Sequence, residues 1–570
     1  MRYSKLISWI LLSAGMISGN RLLSADLTFP FAESSLSGLV RSEKGEPLEG
    51  ILVRAKRDGV NKALTVASDA QGKYRFPKLE AGRYVVEIAR ADGMEEPRKS
   101  GVEIKASQES RADFQIGAAQ DIEQHIAGVD WIRNLPGTAE QQELISDTCM
   151  HCHTGILARS RFDKDNWLKI VRLMRGVHVH SGEWGMPTHG RTADAPLNRD
   201  MPGWEEKNQV IAEYLAQIRG PVPLKWDSAK TKVIPRPTGR STRVLFTEYE
   251  IPYPNAELHD IDVDRYGMVW WSDWRWPYLG MLNPETGEMK YWESPPLPGK
   301  PEVHPGSQEV GFDEDDNVWT TLTWTGGLLK FDRKTEKFFT WMFPDRGLRK
   351  LMQNGMDHKR GRVWFSTHDY YDDDDIGFYV PKTGQYTVYN DFGLYGLVVD
   401  STGNAYALER TGRGSGPRSQ IARVDAETGV RTNYKTPTQP AAFPRRGDYD
   451  SQDRIWFAEY NAGQIGVLDP KAGKITEYKL PLGPSLALPY GCGVDRVNDI
   501  VYVEQYRADS LAALDPKTGE IWEYLLPERY LMARSPRGSP SSKPGYSVIW
   551  VGTLPRWGNG KLIKIEAWYR

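Results

Sequence analysis

The sequence predicts a multidomain, mainly β chain: an N-terminal β-sandwich, a small all-α domain and a C-terminal seven-bladed β-propeller. Three observations predict it. Short strands alternate with turns through residues 34–117, amphipathic segments surround a Cys-x-x-Cys-His between residues 119 and 220, and one unit recurs at spacings of 42 to 50 residues between 243 and 567. Repeats of that length match a four-stranded propeller blade. The 54 glycines, 37 prolines, 20 tryptophans and 27 tyrosines suit many turns joining short aromatic strands.

Length and charge narrow the class of function. At 570 residues the chain is long enough for three or four domains. Its 73 basic and 75 acidic side chains leave a formal charge of −2, with no basic footprint for nucleic acid or an anionic membrane. Residues 1–25 read as a secretory signal: Arg2 and Lys5 precede an apolar run from Leu6 to Ile17, and Ser24-Ala25 offers small residues for cleavage, although Leu23 suits the cut poorly. That run is too short to span a membrane, which takes about 20 apolar residues, and no later segment does so. A periplasmic or secreted protein is therefore expected. Of three cysteines two lie in the motif, so no disulfide framework is expected, and Cys492 reads as a buried thiol.

The first domain, residues 34–117, places short strands at Ser37–Arg41, Ile51–Ala55, Leu64–Ala67, Tyr74–Phe76, Tyr84–Ile88 and Ala112–Gln115, with turns at Glu43–Gly45 and Ala70–Gly72. That is a small sandwich. The run G-x-V, G-x-P-L-x-G-I-x-V, D-x-x-G-x-Y-x-F and L-x-x-G-x-Y-x-V from Gly38 to Val85 resembles the carboxypeptidase regulatory-like domain. The resemblance implies an accessory module without catalysis.

The second domain, residues 119–220, is read as helical. Thr138 caps a helix through Ile145, Asn166–Met174 carries apolar Trp167, Leu168, Ile170, Val171 and Leu173, and Trp204–Ile218 sets Val210, Ile211, Tyr214, Leu215 and Ile218 on one face. Between them stands Cys149-Met150-His151-Cys152-His153. Two thiols three positions apart each form a thioether to one porphyrin, and the next residue turns its imidazole onto the iron, so Cys149, Cys152 and His153 are expected to hold one covalent haem c. Helices on both sides of this motif resemble a monohaem cytochrome c domain. Met186 is the first candidate for the sixth iron ligand, with Met201 and Met174 as alternatives and His178, His180 and His189 competing. A thioether there raises the reduction potential relative to a second imidazole.

Strands of apolar-aromatic-apolar form begin the repeats at Val269, Val318, Val363, Ala405, Ile455, Ile500 and Val548. A tight turn recurs as Asn283–Gly287, Pro381–Gly384, Asp425–Gly429, Asp469–Gly473 and Asp515–Gly519, degraded at Asp332–Glu336. The seventh unit lacks its turn and outer strand, whereas Phe246–Pro252 copies that outer strand before the first unit. A strand from the start of the domain can thus close the ring and leave no open edge. The wording of the repeats, clearest in Ile455–Glu459, Gln464–Pro470 and Ile475–Pro481, resembles the streptogramin (virginiamycin B) lyase propellers over residues 243–567.

Equivalent positions in a propeller face one axis. Ten residues before each repeat start stand His259, Gln308, Gln353, Tyr395, Arg445, Tyr490 and Gly538; four after it stand Asp273, Leu322, Thr367, Glu409, Glu459, Glu504 and Gly552. His259, Tyr395, Arg446, Tyr490 and Glu459 are expected to act on substrate, and Asp273, Glu409, Glu459 and Glu504 to be candidate ligands of a divalent cation. The lyase resemblance implies a magnesium and a histidine base that opens a cyclic depsipeptide ester. Where such lyases carry Pro-His-Gly, however, this chain reads Pro489-Tyr-Gly491 and Arg445-Arg-Gly447, and only His259 keeps an imidazole in register, with His304 and His368 outside it. The carboxylates Asp372–Asp375 read first as a solvated loop, since they lack the Gly-spaced pattern of a known site, and second as calcium ligands. The expected function is an exported c-type cytochrome oxidoreductase, its funnel binding a small-molecule or peptide- or polyketide-like substrate and its haem passing electrons to a periplasmic partner. The alternatives are a metal-dependent lyase or hydrolase with an accessory haem, and a non-enzymatic electron carrier.

Overall fold

The computed structural model describes residues 36–569 apart from 107, 151–153, 181–203, 228–229, 297–305, 324–325, 344–349, 369–374, 413–415, 441 and 556–557. The signal segment, Cys152, His153, Met186, Met201, His189, His304 and Asp372–Asp374 fall outside the described residues.

The N-terminal domain is a β-sandwich. Leu36–Ser42 pairs with Lys73–Arg75 and, in parallel, with Ser110–Arg111 and Phe114–Ile116. Against it packs a second layer of Lys62–Ala67, Leu52–Arg57, Gly82–Arg90 and Arg98–Ile104. Gly82–Arg90 shows the period of two that one buried face demands: Tyr84, Val86 and Ile88 enter a core with Val40, Val53, Phe76 and Phe114. Arg90 continues the same inward row, yet its guanidinium leaves the domain. It reaches the carbonyl oxygens of Ala508, Asp509 and Leu526, held by Asp92.

The helical segment contains α1 (Gly128–Asn134), α2 (Ala139–Thr148), α3 (Ile156–Arg159), α4 (Lys164–His180) and α5 (Trp204–Arg219). Thr138 caps α2 as expected: its hydroxyl accepts from the Gln141 backbone, and the Gln141 side chain accepts from the Thr138 backbone. Ile211, Tyr214, Leu215 and Ile218 of α5 join Trp131, Ile145, Leu157 and Trp167 in one core. Val210, expected on that face, is exposed, because it lies about a quarter of a turn from the centre of the stripe at 211, 214, 215 and 218.

The C-terminal region is a ring of β-sheets. Six are four-stranded meanders, from Leu258–Val263 through Met289–Glu293 in the first to Pro489–Asp495 through Glu520–Leu525 in the sixth. The seventh joins Ala533–Gly538, Tyr546–Thr553 and Lys561–Trp568 to Val244–Glu250, so the strand that opens the domain completes its last sheet. That strand's other edge is not left open. It pairs with Lys62–Ala67 of the sandwich, and one eight-stranded sheet runs from ring to sandwich. Within the sheets an aspartate closes the first turn and accepts an indole N–H from the second strand: Asp264 from Trp270, Asp313 from Trp319 and Asp450 from Trp456. The first strands of neighbouring sheets come so close that a Cβ at Gly396 would stand 2.1 Å from the Arg445 carbonyl oxygen.

Candidate functional site

The first strand of every sheet breaks register at one place. The shifts fall at Leu258/Asp260, Gln308/Val310, Leu351/Asn354, Leu394/Gly396, Pro444/Gly447, Pro489/Cys492 and Arg534/Arg537. A bulge inserts a residue and re-aims its neighbours. By register, one layer consists of His259, Gln308, Met352, Tyr395, Arg445, Tyr490 and Arg534, and the next of Asp260, Glu309, Gln353, Gly396, Arg446, Gly491 and Ser535. Gln353 therefore belongs to the second layer, and Arg534, not Gly538, completes the first.

The second layer is an ion-pair network at the centre of the ring. Buried Arg446 bonds both oxygens of Asp260, donates to Ser535 Oγ at 3.0 Å and lies 3.6 Å from Glu309. Arg537 also grips Glu309. Burial alone would push the Asp260 carboxyl up, but Arg446 and then His259 hold it below the usual carboxylate range. Asp260 accepts from His259 Nδ1 at 2.7 Å, and the Gln308 amide stands 3.2 Å from His259 Nε2. Burial lowers the imidazole to about 3, against the pull of Asp260, so His259 is neutral with its Nδ1–H on the carboxylate. Its ring meets Trp274 edge-on at 4.9 Å.

The first layer is aromatic and cationic. The Tyr395 and Tyr490 hydroxyls share a hydrogen bond of 2.5 Å, and Arg445 Nη2 donates to Tyr395 at 3.2 Å. The Arg445 guanidinium lies 4.0 Å from the ring centres of both Tyr460 and Tyr490, and Arg534 lies 4.1 Å from that of Tyr490. Burial works upward on the Tyr395 phenol, yet Arg445, Arg446 and Arg534 bring it down to about 8. Burial raises that of Tyr490. Just before this layer Gly306 and Gly393 have positive φ in the second and fourth sheets, and Phe443, Leu488 and Met532 take the same left-handed backbone in the fifth, sixth and seventh. Those three bulky residues form a lip with Trp274, Tyr460 and Tyr506.

The acidic residues expected to share a cation are dispersed among their own sheets. Asp273 accepts from the backbone of Glu257, Arg275 and Trp276 and from the Tyr253 hydroxyl. Glu409 accepts from Gln420 and Arg431, and Glu459 from Gln464. Burial raises all three, Asp273 and Glu409 to about 7 and Glu459 to about 9 with Glu477 adding to it. Glu504 departs from the expected register: Gln505 pairs with Pro489 as Glu459 pairs with Pro444, so Glu504 takes the opposite face and sits beside Gly491. Burial raises it to about 8. Among the described residues no three of His, Cys, Asp and Glu gather as a metal would require. Asp375 of the acidic loop is buried, its backbone N–H bonded to Thr367. Cys492 is buried as expected.

The helical segment docks on this lip. Tyr506 stacks on Tyr490 at 5.8 Å, and its neighbour Arg507 donates to the Ser146 carbonyl of α2 at 2.5 Å. The Val129 backbone donates to the Arg507 carbonyl, and Trp131 Nε1 to the Tyr530 hydroxyl at 3.2 Å. Cys149 follows α2, half-buried against the cluster of Ile145, Met150 and Leu157, while the buried Thr154 hydroxyl one residue beyond the motif has no partner among the described residues. A thiol set in an apolar surface with a spare polar group beside it fits a covalently held porphyrin. Met174 is half-buried on α4.

Residues 35–117 match the carboxypeptidase regulatory-like domain. The match agrees in extent with the sandwich. A comparison with curated proteins finds no match. Among solved structures the chain is similar to a streptogramin B lyase, at 19% identity over 56% of this chain and 97% of that one with a TM-score of 0.48. It is similar too to virginiamycin B lyase from Staphylococcus aureus, at 18% identity over 56% and 99% with a TM-score of 0.47. These likenesses concern the fold. Among the described residues no helix is long and apolar enough to cross a membrane.

Proposed function

We propose that the protein is an exported c-type cytochrome oxidoreductase, built from the sandwich, a cytochrome c domain at 119–220 and a seven-bladed propeller at 243–567 whose funnel binds an organic substrate. The observation that carries this reading is the contact between helix and lip: α2, which leads into Cys149, is held by Arg507, and the adjacent Tyr506 stacks on Tyr490 in the funnel. Cys149 and Cys152 would hold haem c and His153 its iron, with Met186, Met201 or Met174 as a further candidate ligand. When bound, that group supplies a one-electron acceptor beside the funnel. The chain's own residues do the rest. The aromatic lip of Trp274, Tyr460 and Tyr506 excludes water, and Tyr395, poised near neutral pH, exchanges the proton that accompanies oxidation. Burial, with Arg446 adding to it, keeps His259 neutral, and Asp260 fixes its ring.

The test is an anaerobic substrate screen read by haem absorbance. A substrate should reduce the haem, and Tyr395→Phe should slow reduction by about 100-fold while leaving the haem spectrum intact. Substrates that are consumed with the haem spectrum unchanged would overturn the reading. That outcome favours the second one, metal-dependent elimination or hydrolysis, for which the Asp260–His259 pair is the supporting observation. Chelator-sensitive turnover would mark it.

A further inference from the structure

We infer that the funnel mouth is an oxyanion site, in which Arg445 and Arg534 grip a carboxylate or phosphate carried by the substrate. The inference rests on the funnel being the substrate site and adds the substrate's charge.

The central arginines differ in one respect. Arg446 and Arg537 in the deeper layers are paired with Asp260 and Glu309. Arg445 and Arg534, one layer nearer the lip, are paired with no carboxylate among the described residues. Among the described residues Arg445 makes one hydrogen bond, to the Tyr395 hydroxyl, and its Nε and Nη1 are buried without a partner; Arg534 Nε is likewise unpartnered there, with the residue 6% exposed. What surrounds them is π surface: Tyr395, Tyr460 and Tyr490 around Arg445, and Tyr490 and Tyr506 around Arg534.

A buried cation is costly unless it is paired, and stacking on phenol rings replaces only part of its lost hydration. Two such cations over one ring, Tyr490, repel each other as well. A ligand oxyanion supplies what both lack, because the guanidinium fork presents parallel N–H donors to two oxygens. The stacked rings hold the planes of both forks in place beforehand, which lowers the ordering cost of binding. Arg445 and Tyr395 are half-buried, so the mouth is open at this point.

The test uses the full-length, haem-loaded protein at constant ionic strength, with binding read by calorimetry. Its probes are benzoate, inorganic phosphate and the neutral benzamide. Benzoate or phosphate should bind saturably and benzamide should not; the stronger of the two anions names the substrate's group as carboxylate or phosphate. Arg445→Gln and Arg534→Gln should each weaken binding at least about tenfold, as loss of a charge-assisted bond does. Arg534→Lys keeps the charge and should retain measurable binding even where a glutamine variant does not fold. Equal binding of benzamide and benzoate, absence of anion binding, or glutamine variants that bind like the parent would each overturn the inference. The readout does not involve the haem. Anion binding without any haem reduction would therefore leave this inference standing and remove the oxidoreductase reading; haem reduction by a neutral substrate would do the reverse.

Discussion

Single residues near the axis show how burial sets charge in a crowded channel. Glu459 is the sharpest case. Its carboxyl is buried, one oxygen takes a hydrogen bond from Gln464, and burial together with the neighbouring Glu477 carboxyl lifts it from 4.5 to about 9. The folded chain thus holds a proton that the unfolded chain has released, so the contribution of this group to stability is fullest below about pH 4.5 and is lost as pH rises through about 9. Glu459→Gln should flatten that decline: thermal unfolding of parent and variant, compared across this window, should diverge as pH rises, with the variant the less sensitive. Parallel curves would show that Glu459 is ionised in the fold. His259, Tyr395, Arg445 and Tyr490 were readable as axial residues from the repeat spacing alone. Asp260, Glu309, Arg534 and Ser535 were not, because a bulge adds a residue to each first strand and a fixed count from the repeat start cannot see it.

At the level of elements, the lip strands bear backbone strain. Leu488 has φ of 47° where the equivalent residue of the fourth sheet is Gly393, and an L-residue there costs about 1 kcal/mol. Replacing Leu488 by alanine removes its packing and keeps the strain, whereas glycine removes both. Chemical denaturation should therefore find Leu488→Gly more stable than Leu488→Ala by about 1 kcal/mol, the reverse of the usual order; the usual order would mean the strain is not there. The closing strand makes a second prediction. Glu248 on Val244–Glu250 is buried between Arg54 of the sandwich and Lys561 of the last sheet, which Glu87 and Glu528 also hold, so Glu248→Gln removes charge-assisted bonds from a cluster that keeps two carboxylates and should cost about 2 kcal/mol. A loss near zero would mean that the strand is held by its backbone ladder alone. This strand was legible because Phe246–Pro252 copies the outer-strand wording. The register of Glu504 was not: Ile500-Val-Tyr-Val is buried on both faces, so nothing in its polarity says which residue starts the repeat.

Across the whole molecule, three units meet where the chemistry is proposed. Arg90 of the sandwich reaches the carbonyls of Ala508 and Asp509, Arg507 beside them holds α2, and Tyr506 stacks on the funnel's Tyr490. No sequence pattern announces such a junction, since the Arg90 and Arg507 contacts join residues hundreds of positions apart through backbone carbonyls that carry no residue signature. The repeats, the strand that closes the ring and the Cys-x-x-Cys-His are local in sequence and were legible; the docking is tertiary and was not. It also gives the motif its place, since α2 lies on the lip of the site that the haem is proposed to serve. The most direct measurement is the haem content of the exported full-length protein after denaturation, for the parent and for Cys149→Ala with Cys152→Ala. One haem per parent chain that survives denaturation and is missing from the double variant is the predicted result; a parent without covalent haem, or a double variant that keeps it, would contradict the account.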